Sequence, residues 1–259
     1  MNRMDPTQTC YLFLDFDGTV YLDGAIPPEN RAALRAVQRM GHQVILNTGR
    51  ARGGLNLAAE QYQGVDWDGV IFGSSDMTYR GVRYHEHTLS EDEVLHWVRY
   101  GMDRHYWITL GGETEPKPLR FQEHPENFTS EETDAILNGI REWMGGVPVT
   151  KLSIQNVDAC DVPENGVTVV RMATYAEILP KGRDKGVAFL DFCERYAIPT
   201  EQCVCFGDSL NDLAVFRVCP NSVAMKHSPE ELRQCATYIA GGEIGVAEGV
   251  AHYFGKIWT

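Results

Sequence analysis

The run Tyr11-Leu-Phe-Leu14 followed by Asp15-Phe16-Asp17-Gly18-Thr19 constrains this chain more than any other stretch. Four apolar residues without a polar interruption read as a strand buried on both faces, the habit of a central strand in a parallel sheet. Such a strand delivers Asp15 to the carboxyl edge of the sheet, where open α/β folds bind their ligands. Asp15 and Asp17 are close enough to share one divalent cation, and Gly18 lets the backbone turn away sharply. Alone, the pentapeptide fits a solvated Asp-Gly turn equally well. The rest of the chain decides.

Pro27 and Pro28 introduce a helical segment over residues 29–40, with an apolar stripe at Ala32, Leu34, Ala36, Val37 and Met40 and a stop at Gly41. A short strand over 43–46 then runs into Asn47-Thr48-Gly49-Arg50. A helix over 54–63 and a strand at Gly69–Phe72 complete an alternation with short links, which predicts a right-handed parallel α/β sheet. From 77 to 179 the pattern is that of an α+β unit. Ser90-Glu-Asp-Glu93 is a capping box opening a helix to about Arg104. A strand over 107–110, a helix over 130–143 and strands over 147–154, 167–171 and Tyr175–Leu179 follow. Residues 113–127, rich in proline and acids, read as loop. The α/β rhythm returns with a helix over 185–196 and a strand over 203–206, which closes on Gly207-Asp208-Ser209-Leu210-Asn211-Asp212. Short strands at Ser222–Ala224 and 237–239 and a helix over 244–253 finish the chain. The expected architecture is an α/β fold with a Rossmann-like parallel-sheet core, residues 1–81 and 183–259, and an α+β insert over 82–182.

A chain of 259 residues can hold such a core and its insert. Its net charge of −13 speaks against nucleic acid and anionic membranes as partners. No apolar run reaches membrane-spanning length, and residues 1–9 are too polar for a signal peptide. The expectation is therefore no membrane partner and a cytoplasmic location. The seven cysteines are odd in number and scattered, several inside apolar runs where a small buried thiol is the simplest reading. Cys203 and Cys205 have no second ligand pair of the kind a zinc site needs.

In a parallel sheet the carboxyl ends of the strands share one edge. Asp15/Asp17, Thr48, Lys185 and Asp208/Asn211/Asp212 can therefore converge. Together they supply what phosphoryl transfer needs: a carboxylate that can attack phosphorus, hard oxygens for a divalent metal, and a hydroxyl and an ammonium for the equatorial oxygens. Lys181 also precedes a glycine and competes with Lys185, although a helix follows Lys185 directly.

Asp15-x-Asp17-Gly18-Thr19, Thr48-Gly49-Arg50, Lys185-Gly186 and Gly207-Asp208-Ser209-x-Asn211-Asp212, in this order, resemble the haloacid dehalogenase-like (HAD) phosphatases. The placement of the insert, the stretch from Glu177 to Gly186 and the stretch from Val223 to Leu232 are similar to the Cof-type subclass with a large α/β cap. The resemblance implies a Mg²⁺-dependent phosphatase of small phosphorylated metabolites, sugar phosphates first, working as a monomer or homodimer. It implies Asp15 as nucleophile, and Asp17 as the acid and then the base. Asp15, the Asp17 carbonyl and Asp208 would hold Mg²⁺, supported by Asn211 or Asp212, while Thr48 and Lys185 grip the phosphoryl group. Gly18, Thr19, Gly49, Arg50 and Asn211 would line the substrate. The insert would be a specificity cap, with Arg83, Arg120, Lys151 and Arg171 as candidate contacts.

Two departures stand out. Tyr21-Leu22-Asp23-Gly24 resembles a neighbouring subclass related to nucleotide and pyridoxal phosphatases, and Lys226-His227 stands where the Cof type often has Gly-Asn. No histidine is assigned to metal. A phosphomutase and a non-catalytic phosphosugar-binding protein are the alternatives, separated by whether an aryl phosphate yields free phosphate.

Overall fold

Tyr11–Leu14 forms β1, and its carbonyls and amides pair on both sides with parallel neighbours. The sheet around it comprises β2 (Gln43–Thr48), β3 (Gly69–Phe72), β4 (Asp76–Tyr79), β5 (Val82–His85), β11 (Cys203–Gly207), β12 (Ser222–Ala224) and β13 (Tyr238–Ile239). Their order is β13-β12-β11-β1-β2-β3-β4-β5. Successive strands are laid down outward from β1 on one side and from β11 on the other, so the strand order reverses at β1 and makes its carboxyl end the switch point where α/β folds bind ligands. The structure is a computed structural model and describes residues 4–5, 7–55, 64–85, 87–124, 126–158, 161–172 and 174–258.

Leu12, Phe13 and Leu14 are buried on both faces, as their uninterrupted apolar run requires. Phe13 meets Phe189 and Phe192 edge-on, with centroids 4.8 and 5.4 Å away, and these rings come from α4 (Lys185–Arg195). Burying each ring contributes about 2–3 kcal/mol before entropy is counted. On the sheet's flanks lie α1 (Pro28–Arg39), α5 (Leu213–Val218), α6 (Glu230–Cys235) and α7 (Gly245–Phe254). Pro28 opens α1 where its missing N–H has no partner to lose, and Gly41, at φ +92°, turns the chain out of it. Cys10, Cys193, Cys203, Cys205 and Cys219 are buried thiols of this core. Cys160 lies outside the described residues.

The segment from Met77 departs from the sequence expectation. Instead of opening the α+β unit, β4 pairs antiparallel with β3 and β5 continues the same sheet. Arg80 (φ +49°) and Gly81 (φ +79°) make the tight turn between them. Met77 and Tyr79 point into the core against Phe192, and the period-2 pattern of so short a hairpin is easily read as the start of something else. The expected helix over 54–63 lies largely outside the described residues; Arg52–Gly54 is a single 3₁₀ turn.

His42, at the amino-terminal edge of β2, is buried, and its Nδ1 accepts the Cys10 N–H at 3.2 Å. Burial lowers its pKa below the ordinary 6.5. The unfolded chain therefore binds the extra proton first, so stability is present above the unfolded value and lost as pH falls through it. Denaturant titrations from about pH 7 down to about pH 5 are expected to show a steeper loss for the wild type than for His42→Asn. Parallel curves would show that His42 does not carry the acid sensitivity.

The chain divides into two compact units, the first formed by Met1–Gly49, Asn56–Tyr84 and Lys185–Thr259, the second by Arg50–Leu55 and His85–Asp184. The second contains α2 (Glu91–Asp103), β6 (Trp107–Gly112), β7 (Lys117–Arg120), α3 (Ser130–Met144), β8 (Val149–Gln155), β9 (Thr168–Arg171) and β10 (Tyr175–Leu179). Its antiparallel sheet has the order β7-β6-β8-β10-β9. Capping boxes open both helices, Ser90 with Glu93 and Thr129 with Glu132. Ile108, Leu110, Leu152, Ile154, Ala176 and Ile178 share one core with Val94, Trp97, Val98, Leu137 and Ile140 of the helices. The opposite face of the sheet carries Thr109, Ser153 and Glu177 in register. β7 was expected to be loop. Pro118 stands in it, tolerated because β7 is an edge strand that needs only one ladder. Among the described residues, no helix is long and apolar enough to cross a membrane.

Candidate active site

Beyond β1 the chain loops tightly around one carbonyl. The Phe16 oxygen accepts the N–H groups of Thr19, Val20 and Tyr21 at 3.3, 3.1 and 2.9 Å, and the Phe16 ring stacks on Tyr21. Asp15 is buried at the root of this loop, and its N–H donates to the Phe206 carbonyl of β11 at 2.9 Å. Asp17 is exposed on the loop, with its backbone bridged to Tyr21. Gly18 sits at φ +81°, and a methyl there would lie 2.7 Å from the Asp208 carboxylate carbon. Only glycine lets the loop approach Asp208 so closely. Thr19 Oγ1 donates to Asp208 Oδ1 at 3.1 Å.

Lys185 is the first residue of α4 and is 2% exposed. A cation in the first turn works against the helix dipole, so it needs strong local compensation. Two carboxylates supply it: Lys185 Nζ donates to Asp15 Oδ1 and to Asp212 Oδ1, both at 2.6 Å. Asp212 is fixed in turn, because its Oδ2 accepts the N–H groups of Asp208 and Ser209 at 3.1 and 3.2 Å. Of the two lysines, Lys185 lies between these carboxylates, whereas Lys181 is exposed.

Burial raises the Asp15 pKa well above the carboxylate range; the Lys185 charge opposes the rise and the Asp212 and Asp208 charges add to it. Asp208 is raised by burial and by the Asp212 charge. Burial would lower the Lys185 pKa, but Asp15 and Asp212 outweigh it and hold the ammonium protonated.

Asp15, Asp208 and Asp212 each offer an oxygen within 4.8 Å of the others. Asp212 spends its oxygens on Lys185 and the backbone, whereas Asp15 Oδ2 has no hydrogen-bond donor among the described residues. The buried Asp15 and the partly buried Asp208, both hard oxygen donors, are a fit for a small divalent cation such as Mg²⁺.

The other residues singled out by sequence are placed as follows. Thr48 is buried at the end of β2, with Gly49 next to it in the first unit. Asn211, in the turn before Asp212, accepts from Ser209 Oγ at 2.8 Å. Arg50 belongs to the second unit, where its Nη1 donates to the Gly54 carbonyl. Arg83 belongs to the first unit, on β5, and pairs with the buried Asp76 at 2.8 Å. Arg171 donates to the Val162 carbonyl, and Lys151 pairs with Glu177.

The sequence marked Lys226-His227 only as a departure and gave His227 no role. The turn after β12 is tied to the end of β11 by the Met225 N–H on the Gly207 carbonyl, and it brings His227 Nε2 to 3.5 Å from Asp208 Oδ2. The available signal was position: residue 227 lies three residues past the carboxyl end of a parallel core strand, on the edge that carries Asp15 and Asp208.

An open α/β sheet with a buried lysine shared between carboxylates at its switch point is built as an enzyme. A family model for haloacid dehalogenase-like hydrolases matches residues 12–254. The chain is 26% identical over 254 residues to the 5-amino-6-(5-phospho-D-ribitylamino)uracil phosphatase YcsE of Bacillus subtilis (strain 168), covering 93% of this chain and 94% of that one. Phosphatase YwpJ of the same organism is 23% identical over 281 residues, with 92% and 98% covered. The solved structure of the phosphatase BT1666 from Bacteroides thetaiotaomicron matches with a TM-score of 0.77 at 18% identity, covering 95% of each chain. That of the subclass IIB sugar phosphatase BT4131 matches with a TM-score of 0.75 at 18% identity, covering 94% and 98%. These last two likenesses establish a shared fold. The chain belongs to the haloacid dehalogenase-like hydrolases, of the Cof type. By class it is a phosphatase.

Proposed function

We propose that this enzyme hydrolyses small phosphorylated metabolites, sugar phosphates and phosphorylated sugar-alcohol chains first, through an aspartyl-phosphate on Asp15. The observation that carries the reading is Lys185, buried and 2.6 Å from both Asp15 and Asp212. The ammonium opposes the rise that burial imposes on the Asp15 pKa and aims its carboxyl, and it stands beside the position an incoming phosphoryl group would take. In the first step an Asp15 oxygen bonds to phosphorus as the bond to the leaving oxygen breaks, and Asp17 gives that oxygen a proton. In the second, Asp17 takes a proton from water, water oxygen bonds to phosphorus, and the bond to Asp15 breaks. Thr48 and Lys185 grip the phosphoryl oxygens, whereas the N–H groups of Gly18 and Thr19 are already given to the Tyr21 and Phe16 carbonyls. Asp15, the Asp17 carbonyl and Asp208 would hold Mg²⁺, which when bound neutralises phosphoryl charge. Asn211 supports this edge through Ser209.

The substrate class rests on the Cof-type membership and on the relative named for a phosphorylated ribityl compound. We assign leaving-group selectivity to the insert, residues 85–184. The test is a panel of sugar phosphates, ribityl phosphates and a small aryl phosphate, scored by free phosphate with and without Mg²⁺. Turnover of the sugar class that EDTA silences and Mg²⁺ restores is expected. Alanine at Thr109 or Ser153 is expected to change kcat/KM ratios across the panel while sparing the aryl phosphate. Full activity after exhaustive chelation, or isomer exchange without phosphate release, would overturn the hydrolytic, metal-dependent reading. Ratios unmoved by the alanine variants would remove the insert as the selectivity element.

A further inference from the structure

We propose that Arg50–Leu55 is a strap seated on β6, and that the Ala51–Gly111 contact in this seat positions Thr48 for the phosphoryl group. The inference rests on the reading of Thr48 as a group that grips the phosphoryl oxygens. The strap follows Thr48-Gly49 directly in the chain, yet it belongs to the compact unit formed with His85–Asp184. A Cβ on Gly111 would stand 2.9 Å from the Ala51 Cβ, closer than two such atoms come. One on Gly53 would overlap the backbone carbonyl of Thr114, and one on Gly54 would lie 3.5 Å from Pro116 Cγ. Ala51, Gly53 and Gly54 thus rest in turn on the end of β6 and the connection that follows it.

Glycine inside a strand gives up packing and marks a place where another backbone comes close. Leu110 turns into the core shared with α2 and α3, so Gly111 faces the other side of the sheet, and Ala51 fills the space a side chain would take there. Ala51 and Leu55 are both buried. The strap is also closed on itself. The Gly54 N–H donates to the Ala51 carbonyl at 2.9 Å, the Leu55 N–H to the Arg52 carbonyl at 3.1 Å, and Arg50 Nη1 to the Gly54 carbonyl. A turn so compact is fixed as a whole by its seat. From Ala51 back to Thr48 is three residues, a reach of at most about 10 Å. On its other side Thr48 is held through its carbonyl, which accepts the Gly73 N–H at 3.0 Å. A shift of the strap has only the Gly49 and Arg50 dihedrals to absorb it before it reaches Thr48. Misplacing a binding group by about 1 Å is enough to slow catalysis heavily. Ala51 and Gly111 are therefore positioning residues that act through Thr48.

The test is Gly111→Ala, read with a small aryl phosphate that the Thr109 and Ser153 variants are expected to spare. The added methyl pushes the strap off its seat. The kcat/KM for the aryl phosphate should fall about tenfold, and inorganic phosphate should inhibit about tenfold more weakly. Ala51→Gly vacates the space, so the double variant with Gly111→Ala presents the methyl from the other side. It should return to within about threefold of wild type. The nearest neighbour of that methyl is then Lys151 Cγ at 3.1 Å, in a side chain that has to give by only a few tenths of an ångström. Thr48→Ala should by itself weaken turnover and phosphate inhibition, and adding Gly111→Ala to it should cost less than about twofold more. Circular dichroism checks folding. Should Gly111→Ala not fold, Ala51→Val crowds the same contact from the strap, and the same losses are expected of it. Wild-type turnover of the aryl phosphate in the crowded variant, a double variant no better than Gly111→Ala, or full additivity with Thr48→Ala overturns the strap and leaves Thr48 its role. Thr48→Ala with unchanged turnover and phosphate inhibition overturns the grip itself, and the strap along with it.

Discussion

Replacing Asp15 by asparagine is expected to abolish phosphate release while the protein stays folded. The amide has the shape of the carboxylate but cannot attack phosphorus, so the covalent route closes. The loss should be roughly four orders of magnitude or more, the scale on which removal of a covalent nucleophile acts. Stability should change little. Asp15 is buried and its carboxylate is costly to ionise there, so removing the charge relieves a desolvation penalty. Lys185 still keeps its 2.6 Å contact with Asp212. Steady-state phosphate release and a denaturant curve together check this. Near-normal turnover in Asp15→Asn, or collapse of the fold, would count against the assignment.

Lys185→Met is expected to cost both stability and turnover. Methionine fills much the same volume, so the effect is electrostatic. It leaves Asp15 and Asp212 buried and facing each other with no cation between them. Breaking a buried ion pair on one side costs about 3–5 kcal/mol. The sign of the pH dependence follows from the carboxylates. The Asp15 pKa is raised in the folded state even with Lys185 present, and losing the ammonium raises it further. A folded state that binds protons more tightly than the unfolded one is most stable at low pH and loses that stability as pH rises through the folded pKa. The deficit of Lys185→Met relative to wild type should therefore grow with pH, read by urea unfolding. A deficit that shrinks with rising pH, or none, would mean that Lys185 is not the counter-ion of this pair.

Much of the fold was legible because its strands are unambiguous. β1 and β3 are short apolar runs bounded by turn residues, and both fall at the expected residues. One helix of the second unit was marked by the capping box at Ser90, whose hydrogen bonds form, while the box of Thr129 with Glu132 emerged only in the structure. The β4–β5 hairpin was not legible, since four-residue strands carry too little periodicity to show which sheet they join. β7 was hidden by Pro118, because proline argues against a strand unless the strand is known to be at an edge, and edges are set by tertiary pairing. At the site, motif spacing put Asp15, Thr48 and Asp208 at strand ends and Lys185 at the start of a helix; parallel register brings Asp15 and Asp208 together, and the first turn of α4 sets Lys185 between Asp15 and Asp212. The two roles of Asp212, counter-ion to Lys185 and acceptor for two backbone N–H groups, depend on a turn that no local pattern specifies. The contact of His227 was not legible for the same reason: a half-exposed histidine on a loop looks like surface until the register of β12 against β11 places it beside Asp208.

The central claim is that the phosphoryl group passes through Asp15. Acid quenching of the enzyme during turnover of a phosphorylated sugar, followed by peptide mass measurement, tests it directly. One added phosphoryl group is expected on the peptide carrying Asp15, in greater yield in Asp17→Asn, where the second step lacks its base, and absent in Asp15→Asn. Continued phosphate release with no phosphoryl group on that peptide at any quench time would contradict the account.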